Sequence, residues 1–354
     1  MKKVSLKRLL PGLTVGVFVL GFLYTFGGFF AAKTVIESIF DKRMVSESPA
    51  RLFCGRDYYP ALNSREDVTF ASGNEILAGS LYKGGDKGLV LFAHGLGGNR
   101  DDQTSGVQSY FVERGYSLFS FDLTASGASS GKGIHGLHQS AYDVKAALDY
   151  LSQREDVDLD NLAFMGFSWG AYGIAASLNF DLPAYPKALV SFAGFDYPES
   201  EMVAMARRYV GSLADFSKWQ FDWALSARVG GENAYLSACK GIKAHPEVSL
   251  SLVQGDEDET VPLDASLFEA VRKESVSRKE YLRSGYGHRG LWLSEEARDF
   301  AAKMERHYDA MSGDDKEERF AKYLEEQGGK KRCSALDLSL LESLENDIEA
   351  ALEA

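Results

Sequence analysis

An apolar run, Leu162-Ala163-Phe164-Met165, ends abruptly in Gly166-Phe167-Ser168-Trp169-Gly170 and gives way to a small-residue stretch suited to a helix. Glycines on either side of the corner permit a buried strand to turn straight into a helix. A serine at such a corner stands exposed, where a base can reach its hydroxyl and N–H groups can face a developing oxyanion. In a chain with 35 glycines the pentapeptide alone arises easily by chance. Three further segments, in chain order, give it meaning.

Upstream, Gly88-Leu89-Val90-Leu91-Phe92-Ala93 reads as a fully buried strand and runs into His94-Gly95-Leu96-Gly97-Gly98. Glycines let this turn approach a substrate closely, so the N–H groups of Leu96 and of Trp169 are the candidate donors to an oxyanion. His94 reads as a brace for the loop. Downstream, the strand Ser249–Gln254 leads into Gly255-Asp256-Glu257-Asp258-Glu259-Thr260-Val261-Pro262. An acid at a strand's carboxyl end can hold an imidazole in one tautomer and stabilise its charged form. Asp258, three residues after the glycine, is preferred to Asp256, and Glu257 and Glu259 suit a solvated loop. Finally, Tyr281-Leu282-Arg283 runs into Ser284-Gly285-Tyr286-Gly287-His288. Of the six histidines only His288 and His307 follow the acid, and His307 falls inside an expected helix, Ser294 to Ala310. His288, in the loop before that helix, is the candidate base.

These segments together resemble the α/β-hydrolase superfamily over roughly residues 65–310. Asp122-Leu123-Thr124-Ala125-Ser126-Gly127-Ala128-Ser129-Ser130-Gly131 also resembles the family's D-x-R-G-x-G-x-S-x-G loop, with Thr124 and Ala125 in place of the Arg and the first Gly. The general pattern is similar to membrane-anchored bacterial hydrolases of the serine aminopeptidase-like and monoacylglycerol-lipase-like group. The resemblance implies an α/β fold with a mainly parallel eight-stranded sheet flanked by helices, and a small helical cap. It also implies a serine hydrolase with Ser168 as nucleophile, His288 as base and Asp258 orienting it, needing no metal or organic cofactor. Carboxylic esters of small or lipid-like molecules are the expected substrates. Amide or peptide hydrolysis with the same residues, or a non-catalytic binding protein, are the alternatives.

The rest of the chain divides around that body. Val68–Ala71 and Ile76–Tyr82 read as two strands joined by a turn, so an antiparallel start is expected. Later strands alternate with helical patterns such as Leu137, Ala141, Val144, Leu148 and Leu151, which implies parallel pairing with crossover helices. Residues 196–245 exceed what one crossover helix needs and carry, within or beside them, Phe195, Tyr197, Tyr209, Phe216, Trp219, Phe221, Trp223 and Tyr235. They suit a small cap, or simply aromatic faces packed on the body. Residues 311–354 are acidic with spaced leucines, which reads as an amphipathic helical tail that packs on the domain or frays in solvent rather than binding a partner. A formal charge of -12 argues against a nucleic-acid partner.

At the amino terminus, Lys2, Lys3, Lys7 and Arg8 precede an uncharged stretch from Leu9 to Ala32. As a helix it could cross a bilayer. It is longer than the apolar core of a signal peptide, and Phe29-Phe30-Ala31-Ala32 fits a small-x-small cleavage site poorly. Residues 1–35 are therefore expected to be an uncleaved anchor and 36–64 a linker. The positive flank should stay in the cytoplasm with the catalytic domain on the other side. Cys54, Cys239 and Cys333 show no metal-ligand spacing, and no disulfide framework is indicated.

Overall fold

The computed structural model of the chain describes residues 15–44, 55–102 and 104–354, without the side chains of 208–210 and 213. Eight strands form one sheet: β1 (Glu66–Ser72), β2 (Glu75–Tyr82), β3 (Leu89–Ala93), β4 (Ser117–Phe121), β5 (Leu162–Phe167), β6 (Ala188–Phe192), β7 (Ser249–Gly255) and β8 (Lys279–Arg283). Their order is β1-β2-β4-β3-β5-β6-β7-β8. β1 and β2 pair antiparallel across a turn in which Gly73 takes a φ of 58°, and β2 pairs antiparallel with β4. Every other pairing is parallel, so the expected fold is the one observed.

Side chains alternate across a strand, and β3 shows what that does here. Leu89, Leu91 and Ala93 enter the core on one face of the sheet, while Val90 and Phe92 enter the core on the other. The helices that form the layers, the insertion and the apolar amino-terminal element are α1 (Val15–Phe40), α2 (Ser105–Glu113), α3 (Gln139–Leu151), α4 (Trp169–Ala176), α5 (Pro198–Val210), α6 (Lys218–Val229), α7 (Ala238–Ala244), α8 (Leu267–Lys273), α9 (Glu295–Asp309) and α10 (Leu338–Leu352). α3, α4, α7 and α8 build the first core with Leu91, while α2 and α10 build the second with Val90 and Phe92. In α10, Leu340, Leu341, Leu344, Ile348 and Leu352 are buried. Glu345 of the same helix accepts from the Tyr110 hydroxyl at 2.9 Å and from Arg114 at 2.9 Å. The carboxyl-terminal helix thus covers a face of the sheet as a structural layer.

α1 is 26 residues long and apolar enough to cross a membrane. Its first half exposes Val15, Val17, Phe18, Leu20, Phe22 and Leu23, and very little of its most apolar stretch is covered by protein. A π-helical turn, Leu23–Gly27, follows. Beyond this turn Ala32, Ile36 and Phe40, four residues apart and so on one face, are buried in the core. The helix therefore continues past residue 35, where the sequence reading starts a linker, because that face packs on the body. Arg43 lies just beyond it, its guanidinium donating to the carbonyls of Ser129 at 2.9 Å, Gly131 at 3.0 Å and Gly127 at 2.8 Å. Residues 45–54, including Cys54, lie outside the described residues, whereas Cys239 and Cys333 are buried.

Phe40 is fully buried and the Ile134 amide donates to its carbonyl at 2.8 Å. Phe40→Ala should cost about 3–5 kcal/mol, read from denaturant unfolding in mild detergent. Phe18→Ala, on the exposed half, should leave the unfolding midpoint unchanged. Equal effects would contradict a docked second half.

Candidate active site

The corner after β5 is as tight as the sequence demands. Ser168 has φ 54° and ψ -116°, a backbone state that costs a non-glycine residue about 1–3 kcal/mol. A Cβ on Gly170 would lie 2.2 Å from the Ala93 carbonyl oxygen, and one on Gly166 would lie 2.8 Å from the Ala171 nitrogen. Both glycines are therefore required by backbone meeting backbone. The strained turn is held by hydrogen bonds on either side, from the Ser168 amide to the Phe192 carbonyl at 2.8 Å and from the Tyr172 amide to the Ser168 carbonyl at 2.9 Å.

The loops after β7 and β8 bring the acid and the imidazole to this serine. His288 Nε2 lies 2.9 Å from Ser168 Oγ, and His288 Nδ1 lies 2.7 Å from Asp258 Oδ2. With a carboxylate at Nδ1, the proton sits there and Nε2 faces the hydroxyl as an acceptor. The Asp258 side chain is fully enclosed. Its Oδ1 accepts from the amides of Thr260 at 2.8 Å and Val261 at 2.9 Å, and its Oδ2 also accepts from Gln254 Nε2 at 3.2 Å. Asp256 instead accepts from the Gly285 amide at 2.7 Å and braces the histidine loop from outside. Phe167 packs against the His288 ring, with 5.0 Å between centroids, and Trp292 packs edge-on to Phe167. His307 lies on α9, stacked on Tyr323.

The glycine loop after β3 lies against the same serine. A Cβ on Gly95 would come within 3.2 Å of Ser168 Cβ. Trp169 opens α4, so its amide has no intrahelical carbonyl to reach. Among the described residues no backbone carbonyl takes the Leu96 amide either. His94 is buried, with Nδ1 2.7 Å from the Gly95 carbonyl oxygen and the Leu123 amide donating to Nε2 at 3.0 Å. That pattern requires the neutral Nδ1–H tautomer, and burial pushes its pKa below the usual histidine range. The histidine is a brace between two loops, as its position in the sequence implied.

A family model described as alpha/beta hydrolase fold matches residues 88–229. An esterase of Pyrococcus furiosus superposes with a TM-score of 0.51 at 18% identity, over 81% of this chain and 97% of that one. The chain has the α/β-hydrolase fold. Among curated relatives, the multifunctional-autoprocessing repeats-in-toxin of Vibrio cholerae is 31% identical over 91 residues, 25% of this chain and 2% of the toxin. The quorum-quenching protein of Acinetobacter baumannii is 28% identical over 116 residues, 31% of this chain and 38% of that protein. The matched segments thus cover well under two thirds of either relative.

Sequence reasoning overlooked a cation beside the loop in which Thr124 stands where the resembled pattern has arginine. Arg100, at the end of the glycine loop, pairs with Asp122, and its own amide donates to Asp122 Oδ1 at 2.7 Å. Removing either partner would leave a buried charge, a loss of about 3–5 kcal/mol. The sequence signal was Asp122 itself, an acid directly after a buried strand. Gln254, at the end of β7, was likewise overlooked, although it is the side-chain donor that fixes Asp258.

Trp169 is anchored through its indole to the Leu137 carbonyl at 2.6 Å, next to buried His138. Burial, with His135 nearby, pushes the His138 pKa from 6.5 down to about 4. The unfolded chain therefore binds the proton first as pH falls from about 6.5 to 4, and stability is lost across that window. We expect the urea midpoint to drop between pH 7.5 and pH 5, and to drop less in His138→Phe. Identical pH dependence in both proteins would contradict a neutral buried imidazole.

Proposed function

We propose that this protein is a membrane-anchored serine hydrolase that cleaves carboxylic esters of small or lipid-like molecules through an acyl-enzyme on Ser168. The observation that carries the reading is the chain Ser168 Oγ to His288 Nε2 at 2.9 Å and His288 Nδ1 to Asp258 at 2.7 Å, built on a strained elbow. In this reading Ser168 Oγ attacks the ester carbonyl while His288 Nε2 takes its proton. Asp258 holds the ring and stabilises the imidazolium. Negative charge gathers on the carbonyl oxygen, where the Leu96 and Trp169 amides are placed to donate. His288 passes its proton to the leaving alcohol, and the same residues then activate water to release the acid.

The anchor reading draws support from where α1 ends. Phe29 packs on Trp223 with centroids 4.1 Å apart, and Ala32, Ile36 and Phe40 are buried. Cleavage near Ala32 would strip part of that packing from the folded body, so an uncleaved helix fits better than a signal peptide. The catalytic domain then lies outside the cytoplasm, by the charges that precede Leu9.

A fluorophosphonate probe should label Ser168, and Ser168→Ala should abolish labelling and ester hydrolysis without lowering stability. Asp258→Asn should cut turnover on the order of 10⁴-fold, whereas Asp256→Asn should cost far less. Labelling on another serine in folded protein would overturn the mechanism; the reverse ranking would move the acid to Asp256. A panel of acyl esters and aminoacyl amides, run on the same preparations, decides between ester and amide preference.

A further inference from the structure

Residues 196–245 and the apolar helix share an aromatic surface that folding leaves uncovered. Trp223 contacts Phe29 and, at 5.9 Å between centroids, Phe26, while Trp219 meets Tyr24 at 6.0 Å. The Tyr24 hydroxyl donates to the Phe216 carbonyl, and Gln220 donates to the Tyr24 carbonyl at 3.3 Å. A Cβ on Gly28 would lie 2.8 Å from Gln220 Nε2, so helix and insertion are in close contact there. Yet Phe216 is 69% exposed and Trp219 and Trp223 are each 41% exposed, beside Phe30 at 61%. Rings this large, grouped across two elements, mark an interaction surface.

The length of the apolar stretch says what covers it. A bilayer core takes about 20 helical residues. Counted from Leu9, the first residue after Arg8, that span ends near Gly28, and the next charge is Lys33. Tyr24, Phe26 and Phe29 therefore fall at the far boundary of the hydrocarbon. Whatever touches them shares their depth, and tryptophan and tyrosine concentrate at that depth. The insertion is also rooted at the proposed nucleophile. It springs from β6, whose Phe192 carbonyl takes the Ser168 amide. At the end of α6, Arg228 binds Asp41 of the anchor segment at 2.7 Å and the carbonyls of Ile134 at 3.0 Å and His135 at 2.7 Å. Those two residues lie just before Leu137, which holds the Trp169 indole.

We propose that α6 and the turn before it, through Phe216, Trp219 and Trp223, sit in the headgroup–acyl boundary of the bilayer that α1 crosses, so that Ser168 receives amphiphilic acyl esters from the lipid phase. This rests on the anchored serine-hydrolase reading and names its substrate class: esters that partition into membrane. The cap is a fixed membrane face, held to the anchor by the Trp223–Phe29 contact and the Arg228–Asp41 pair.

The test uses the full chain in phosphatidylcholine vesicles, with and without brominated acyl chains. Trp169 and Trp292 are buried, so quenching by lipid reports Trp219 and Trp223. Brominated lipid should remove about half of the tryptophan emission from carbonate-resistant protein. In the double variant Phe216→Ser/Trp219→Ser, hydrolysis of a long-chain monoacylglycerol dispersed in the vesicles should fall about tenfold. Hydrolysis of a water-soluble nitrophenyl acetate should stay within about twofold. Unquenched emission from carbonate-resistant protein would overturn the seated cap and leave the anchor standing. Equal loss on both esters would overturn delivery from the lipid. A chain extracted by carbonate would remove the anchor and this inference together. Quenching with neither ester hydrolysed would refute substrate delivery and the hydrolase reading, leaving only the membrane contact.

Discussion

One close approach governs this molecule: the amino end of α4 is pressed against the carboxyl end of β3, with no room for a side chain at Gly170. At that contact the Ser168 backbone takes a strained state, and its hydroxyl meets His288 Nε2 at 2.9 Å. The same contact sets the first amide of α4 beside the glycine loop after β3. Neither strand nor helix alone would hold the serine so. Parallel strands deliver their trailing loops to one end of the sheet, and the loops after β7 and β8 supply Asp258 and His288 at that end.

Around this corner runs a connected polar brace. His94 joins the glycine loop to Leu123, Arg100 joins the same loop to Asp122, and Arg43 clamps the carbonyls of Gly127, Ser129 and Gly131. Asp143 completes it, fully buried, accepting from Ser72, Gln139 and both the amide and hydroxyl of Thr124. Burial raises the pKa of Asp143, opposed by those donors. The segment that leaves the apolar helix is thus tied to the loop that supports the proposed oxyanion donors. In the proposed reading, anchor, cap and site form one rigid assembly.

What could be read from the sequence was local. β5 and the elbow announced themselves through an apolar run ended by glycine, and the sheet through strands alternating with helical spacing. The chain order of Ser168, Asp258 and His288 picked the three residues that the fold brings within hydrogen-bond reach. What escaped depends on contacts between distant segments. Arg100 gave no sign of pairing with Asp122, because that contact is visible only when two loops meet. The passage of α1 beyond residue 35 was hidden for the same reason: Ala32, Ile36 and Phe40 read as ordinary apolar residues until their burial surface is known. Gln254 looked like the end of a strand and proved to be a donor to the enclosed acid.

The central claim is that Ser168, His288, Asp258 and the two amides act on one acyl carbon. The most direct measurement is a crystal structure of the full chain after reaction with a phosphonate ester, which mimics the tetrahedral species. The account requires phosphorus bonded to Ser168 Oγ and one phosphonyl oxygen about 2.7–3.1 Å from both the Leu96 and Trp169 nitrogens. His288 Nε2 should face the departed group. A phosphonyl oxygen turned to solvent, with those amides bonded elsewhere, would contradict it.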